Sequence, residues 1–190
     1  MIFQTAEAVE AARTKGLAVP IVYNSGGYDS VDALREVRGL VDIYLPDIKY
    51  LDNELGSRYS SAADYADVVP GVLREMLDQV GLLETDDEGV AVRGLLVRHL
   101  VLPGQIENSR RCLEFLAGLS PDIHVGIMSQ YSPRHRACEH PEIDRPLAEE
   151  EYEAVVDHAL ELGLGNAFIQ ELDSRDRYLP DFDSEEPFNR

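Results

Sequence analysis

The chain has 190 residues, with 36 acidic side chains against 17 Lys and Arg, and a formal net charge of -19 at pH 7. This length suits one domain that buries a core without disulfides or metals. The acidic balance argues against a nucleic-acid partner, because phosphate binding needs clustered basic residues. No apolar run reaches the roughly 18 residues of a membrane helix, and the N-terminus lacks a signal-peptide pattern. Composition therefore predicts a globular cytoplasmic protein that binds neither nucleic acid nor membrane.

The two cysteines, Cys112 and Cys138, lie far apart in sequence and form no C-x-x-C pair. This spacing argues against a disulfide, a zinc site or a thiol-redox pair. Cys112 falls in a predicted helix, where we expect a small core residue. Cys138 has His135, Glu139 and His140 as neighbours in a polar loop. We expect simple solvation of that loop and no metal site, with metal binding as the alternative.

Helical and strand patterns alternate along the chain. Helices are predicted at 5–15, 30–37, 62–80, 109–119 and 147–162, and Pro70 is expected to kink or break the third of them. Strands are predicted at 17–23, 40–49, 90–102, 124–128 and 167–169, and polar loops or turns at 51–60, 81–89 and 129–146. The expected domain covers residues 1–172, and 173–190 form a polar C-terminal tail. The alternation predicts an α/β fold with a parallel sheet, either doubly wound or part of a (β/α) barrel.

The run at 41–50 is the most informative strand, because its apolar interior ends in Asp47 and Lys49. Two residues apart on an extended chain, these side chains face the same side. Polar side chains also mark the ends of the other predicted strands, and together the candidates are Asn24, Ser25, Asp47, Lys49, Arg98, His99, Gln130, Tyr131, Gln170 and Glu171. Parallel strands end on one side of a sheet, so these groups would form a cleft for a zwitterionic or polyhydroxy ligand. The alternative is that strand ends are polar only because they leave the core.

Arg98 and His99 lie next to each other within an apolar run. Because side chains alternate along a strand, only one of the two can face a given side. Arg98 suits a ligand carboxylate, since its planar guanidinium donates two parallel hydrogen bonds. The alternative for Arg98 is an internal ion pair with Asp47 or Glu171.

Four ordered runs, at 21–28, 41–50, 98–104 and 128–133, resemble the radical S-adenosylmethionine (SAM) superfamily, in the branch related to the pyruvate formate-lyase activating enzyme. The resemblance implies an incomplete (β/α)6 barrel that holds SAM and a [4Fe-4S] cluster. Such an enzyme cleaves SAM reductively and generates a radical on a substrate, which for activating enzymes is a glycine of a partner protein. By resemblance, Asn24, Ser25, Asp47 and Lys49 would line the SAM pocket or a cation site beside it. Arg98, His99, Gln130 and Tyr131 would hold polar parts of SAM or face the substrate.

The chain departs from this family in one respect: it has no C-x-x-x-C-x-x-C loop. Three thiolates of that loop bind the cluster, and two distant cysteines cannot replace them. The family's first strand and its successor would precede Met1, so the chain resembles the C-terminal two-thirds of the barrel. We therefore expect no radical chemistry from this chain alone.

Two other functions stay open at the level of sequence. The chain could be a non-catalytic binding or assembly module that pairs its N-terminal strand edge with a second copy or an upstream polypeptide. It could also be a (β/α) enzyme in which Lys49 forms a Schiff base while Asp47 or His99 moves protons.

Overall fold

The computed structural model describes residues 2–172, and the predicted tail at 173–190 lies outside the described residues. The helices are α1 (Ile2–Thr14), α2 (Val31–Glu36), α3 (Asn53–Ser60), α4 (Tyr65–Val80), α5 (Ile106–Leu119) and α6 (Glu149–Glu161), with a short 3-10 helix at His135–Glu139. The strands are β1 (Val22–Ser25), β2 (Ile43–Pro46), β3 (Glu84–Thr85), β4 (Ala91–Leu100), β5 (His124–Met128) and β6 (Ala167–Ile169). In this part of the chain no helix is both long and apolar enough to cross a membrane.

The parallel strands lie in the order β1-β2-β4-β5-β6, and the short β3 pairs antiparallel with β4. Each parallel strand therefore has its successor on the same side, and the order never reverses as it does in a doubly wound sheet. This is the singly wound arrangement of a (β/α) barrel, so the predicted α/β fold with a parallel sheet and alternating helices is confirmed. Among residues 2–172, β1 and β6 are the two edges of this incomplete barrel.

The two faces of the sheet differ in burial. One face packs against the helices and buries Tyr44, Leu95, Val97, Val125 and Ile127 completely or almost completely. Helix α4 covers β2 and β4 on this side with a stripe of buried apolar residues, Val69, Val72, Leu73, Met76 and Val80. The side chains between the buried ones point to the opposite side. That side, which we call the open face, carries Asn24, Leu45, Leu96, Arg98, Met128 and Phe168.

Several predicted boundaries were wrong. The first strand begins at Val22, well after residue 17, and it includes Asn24 and Ser25. The predicted loop at 51–60 contains helix α3, which Asp52 caps by accepting hydrogen bonds from the amides of Glu54 and Leu55. The acidic turn at 81–89 contains β3.

Pro70 does not divide the third predicted helix, since α4 runs without interruption from Tyr65 to Val80. Proline removes a helical hydrogen bond. Here the buried stripe of α4 against the sheet holds the helix together on either side of Pro70.

Candidate functional site

Four side chains meet where β1, β2 and β4 end on the open face, and we call Asn24, Asp47, Lys49 and Arg98 the strand-end cluster. Arg98 donates from Nε to Asp47 Oδ1 over 2.9 Å and from Nη2 to Asn24 Oδ1 over 2.8 Å. Its Nη2 atom also lies 2.7 Å from Asp47 Oδ1. The predicted alternative of an internal ion pair between Arg98 and Asp47 is therefore confirmed.

Lys49 is the most available cation of this cluster. Its Nζ atom lies 3.8 Å from Asp47 Oδ2, which is too long for a hydrogen bond, and its side chain is 41% exposed. In the described part of the chain the bonds of Arg98 use Nε and Nη2, so Nη1 is also available to a ligand. The cluster can thus offer ammonium and guanidinium donors together with carboxylate and amide acceptors.

The segment that carries Asp47 and Lys49 is held by its main chain. The Tyr65 hydroxyl of α4 lies within hydrogen-bond distance of the carbonyls of Gly26 and Asp47, and it accepts from the amide of Lys49. Asn108 of α5 donates to the carbonyl of Lys49 over 2.9 Å. These contacts fix the backbone at residues 47–49 through main-chain groups, so they use neither the Lys49 ammonium nor the Asp47 carboxylate.

Gly27 allows the first loop to approach this segment. Its φ of +75° lies in the left-handed region, and a Cβ atom there would overlap the carbonyl oxygen of Asp47. A side chain at this position would therefore push Asp47 out of the cluster.

His99 and Ser25, both site candidates from the sequence, point to the helix face. His99 is fully buried, with Nδ1 2.7 Å from the carbonyl oxygen of Ile48 and Nε2 2.9 Å from Ser109 Oγ. A carbonyl can only accept, so Nδ1 carries the proton and Nε2 accepts from Ser109 in the neutral ring. Burial lowers the pKa of His99 below its ordinary value, which keeps the ring neutral. Ser25 donates to Asp29 Oδ2 over 2.6 Å.

Gln130 and Tyr131 follow β5 at the same end of the sheet. Gln130 accepts a hydrogen bond from Gln170 Nε2 over 3.2 Å, so the ends of β5 and β6 are linked. Tyr131 donates to the carbonyl of Ile143 over 2.8 Å. The structure therefore brings Asn24, Asp47, Lys49 and Arg98 together. Tyr131 lies outside this cluster, in the wall of a neighbouring cavity.

That cavity adjoins the strand-end cluster through Lys49 and has a volume of about 500 Å³. We call it the basic cleft, because its lining includes Lys49, Arg58, Arg134, His135, Arg136 and His140. Three tyrosines, Tyr50, Tyr59 and Tyr131, form part of the wall. The sequence analysis missed Arg58, Tyr59, Arg134 and Arg136. The sequence signal for Arg134 and Arg136 is the basic run at 134–136. The sequence analysis considered only His135, Cys138, Glu139 and His140 of this loop, as an alternative metal site.

An iron-sulfur cluster does not fit the cysteines of this chain. Cys112 is fully buried in α5, where burial raises the pKa of its thiol, and Cys138 is exposed in the 3-10 helix. Residues 2–172 contain no group of three or more His, Cys, Asp or Glu side chains that could hold a metal ion. This chain therefore supplies no ligand set for such a cluster.

SAM, in contrast, fits the open face by its chemistry. Its methionine part carries a carboxylate and an ammonium, which match Lys49 and Oδ2 of Asp47, the carboxylate oxygen that does not bond to Arg98. Beside the cluster lies a cavity of about 330 Å³ whose lining includes Leu96, Arg98, Met128 and Phe168. Phe168 is 56% exposed, so its ring is accessible to an adenine. Lys49 is a weaker candidate for a Schiff base, since such a lysine needs desolvation or a neighbouring cation and its nearest charged partner is a carboxylate.

Comparisons with known proteins agree with this architecture. The chain matches no protein-family model. It is 32% identical over 142 residues to an uncharacterized protein of Methanocaldococcus jannaschii, a match that covers 74% of this chain and 38% of that protein. The chain thus spans well under half the length of that relative.

Among solved structures, the chain is similar to a domain of the pyruvate-formate lyase-activating enzyme from Bacteroides vulgatus. The TM-score is 0.63 at 14% sequence identity, and the match covers 90% of this chain and 91% of that chain. At this identity the likeness establishes the fold. The chain therefore has the fold of an activating-enzyme domain, with a polar cluster at its strand ends.

Proposed function

We propose that this chain is the SAM-binding barrel portion of a radical SAM protein of the activating-enzyme-like type, and that it holds SAM on the open face. The observation that carries the proposal is the strand-end cluster. It places an available lysine, a carboxylate and a guanidinium beside an apolar cavity, in a fold shared with an activating-enzyme domain. Because the cluster cysteines are not in this chain, cleavage of SAM requires a [4Fe-4S] cluster held by other residues.

The roles of the residues follow from their contacts. Lys49 binds the carboxylate of SAM, because its ammonium is not committed to a hydrogen bond within the described chain. Asp47 Oδ2 accepts from the ammonium of SAM, while Oδ1 keeps Arg98 in place. Asn24 orients Arg98 from the other side. Gln130 borders the site at the ends of β5 and β6, where it accepts a hydrogen bond from Gln170.

Isothermal titration calorimetry of SAM against the purified chain tests this function. We expect saturable binding that Lys49→Met weakens by about 10-fold or more, as for a lost hydrogen bond between charged groups worth about 1.5–3 kcal/mol. Lys15→Met is the matched control, because Lys15 is exposed after α1 and the charge change is the same. The proposal fails if SAM does not bind, or if both variants weaken it equally.

A second candidate function is an assembly module, and the exposed edge of β1 favours it. Within residues 2–172 no strand pairs with the outer side of β1, and Val19 and Val22 are 64% and 51% exposed. An open strand edge is a pairing surface. A second copy of this chain or an upstream polypeptide would extend the sheet there, with or without SAM on the open face.

A further inference from the structure

The basic cleft is unusual for so acidic a chain. Its lining contains four of the chain's 17 Lys and Arg residues and none of its 36 Asp and Glu residues. Two acidic side chains outside the lining pair with its arginines: Arg58 Nη2 is 2.8 Å from Glu142 Oε1, and Arg136 Nη2 is 2.7 Å from Glu139 Oε2. The carboxylates thus brace the cleft while the cations line it.

Arg134 differs from Arg58 and Arg136 because it has no carboxylate partner among residues 2–172. In the part of the chain that the structure describes, its side chain makes no hydrogen bond or ion pair, and it is exposed at the start of the 3-10 helix. Lys49, on the side of the cleft towards the strand-end cluster, is 3.8 Å from its nearest carboxylate oxygen. Arg134 is therefore the available cation of the cleft lining in the described chain, and Lys49, which we propose binds SAM, lies at the border between the two sites.

The three tyrosines of the wall supply ring surface, while their hydroxyl groups already have partners. Tyr59 donates to Glu142 over 2.6 Å, Tyr131 donates to the carbonyl of Ile143, and the Tyr50 hydroxyl lies 3.1 Å from Ser60 Oγ. The Arg58 guanidinium lies 5.6 Å from the centre of the Tyr59 ring. Arginine donors next to tyrosine rings suit an organic anion better than a hydrated inorganic ion.

We propose, building on the function proposed above, that the basic cleft binds the substrate and that this substrate is a small organic anion with phosphate or carboxylate groups. The volume of about 500 Å³ lies in the range of small-molecule sites. The net charge of -19 repels large polyanions at a distance, whereas a small ligand reaches the local positive charge inside the cleft. Lys49 separates the two sites, so the anion would lie beside SAM.

Calorimetry at low salt with glycerol 3-phosphate and with citrate tests this assignment, and the two probes distinguish organic phosphate from carboxylate ligands. We expect at least one to bind saturably and Arg134→Gln to weaken it by about 10-fold or more. Lys15→Gln, with the same charge change far from the cleft, should leave binding within about twofold. Arg134→Gln should melt like the wild type, because the exposed Arg134 side chain makes no hydrogen bond or ion pair within residues 2–172.

Three outcomes would overturn the proposal: neither probe binds at millimolar concentration, Arg134→Gln and Lys15→Gln weaken binding equally, or a hexaglutamate peptide binds more tightly than both probes. SAM titrations of Arg134→Gln separate this proposal from the previous one. Unchanged SAM binding with lost anion binding supports two adjacent sites. Anion binding without any SAM binding would support the basic cleft as an anion site and would contradict the proposed SAM site.

Discussion

The ion pair between Asp47 and Arg98 connects three strands. The carboxylate of Asp47, after β2, accepts from Arg98 of β4, and Arg98 also donates to Asn24 of β1. The carbonyl of Asp47 lies 3.1 Å from the Tyr65 hydroxyl. The side chains of Asp47 and Arg98 are 20% and 29% exposed, so water replaces their contacts only in part. The geometry of the site therefore depends on the ion pair between Asp47 and Arg98.

Asp47→Asn should destabilise the chain by about 1–3 kcal/mol, because it leaves a half-buried guanidinium without its counter-charge. The free energy of unfolding from urea titration measures this. Asp32→Asn is the matched control, since Asp32 is 91% exposed in its ion pair with Arg35 and surface pairs contribute little. Equal, small effects of both substitutions would contradict the role of Asp47.

His99 should make stability depend on pH. Burial lowers its pKa in the folded chain from the ordinary 6.5, so the unfolded chain takes up a proton at a higher pH than the folded one does. The stability that this neutral histidine provides is complete above pH 6.5 and is lost as pH falls toward the folded pKa.

His99→Gln should therefore flatten the stability curve below pH 6.5, where one extra proton bound by the unfolded chain costs up to about 1.4 kcal/mol per pH unit. Unfolding free energies of wild type and variant at a series of pH values provide the test. If the free energies of unfolding of wild type and variant depended on pH in the same way, His99 would have the same pKa in the folded and unfolded chains.

Sequence patterns predicted part of this residue-scale picture. They placed Asp47, Lys49 and Arg98 at one edge of a parallel sheet, and they showed that Arg98 and His99 face opposite sides. They did not show which of these two residues faces the helices, because the alternation along a strand fixes only the orientation of one side chain relative to the next. The buried partner of His99, Ser109, comes from a helix whose position depends on the tertiary fold.

At the scale of elements, Glu151 holds the start of α6 against the loop after β4. It lies 2.7 Å from two nitrogens of Arg145 and accepts from the amides of Gly104 and Ala148. The Arg145 guanidinium holds the pKa of Glu151 at about 2, far below the ordinary 4.5.

Glu151→Gln should cost about 1–2 kcal/mol of stability at neutral pH, since charge-assisted hydrogen bonds become neutral ones. The difference from wild type should persist above pH 4.5 and disappear as pH falls toward about 2. Glu150→Gln changes an exposed acid in the same helical turn and should have little effect. Thermal unfolding across this pH range measures both variants, and a pH-independent loss in Glu151→Gln would contradict the ion-pair explanation.

Helix α3, which the sequence patterns predicted as a loop, shows what local patterns cannot predict. Its sequence is mainly polar, and its apolar face consists mainly of two partly buried side chains, Leu55 and Tyr59. The helix depends on its Asp52 cap and on Asn53, which bonds to the amide of Ala66 and to Asp67 of α4. Contacts with a later helix are not readable from the segment itself. This is also why Arg58, carried on α3, was missed as part of the basic cleft.

At the scale of the whole molecule, alternating helices and strands predicted the parallel sheet, whereas the strand order came from the structure. The order β1-β2-β4-β5-β6 decides for a barrel and against a doubly wound sheet. The basic cleft could not be assembled from sequence, because its lining comes from segments as distant as Lys49 and Ile143.

The edge of β1 yields a prediction at this scale. The carbonyls of Ile21 and Ser25 bond to the β2 side, so alternation turns the amide of Val22 outward. If this edge pairs with another copy, Val22→Pro should abolish association without breaking the β2 ladder. Ile169→Pro on the β6 edge is the control and should still associate. Sedimentation velocity over a range of concentrations tests this, and a wild-type monomer at every concentration would reject self-pairing.

The most direct test of the central claim is an amide NMR titration of the chain with SAM. We predict saturable shifts at the amides of residues 24–27, 45, 47–49 and 96–98, which lie at or near the strand-end cluster on β1, β2 and β4, with residues of α2 unaffected. Absence of saturable shifts, or shifts confined to the helix face, would contradict a SAM site at the strand ends.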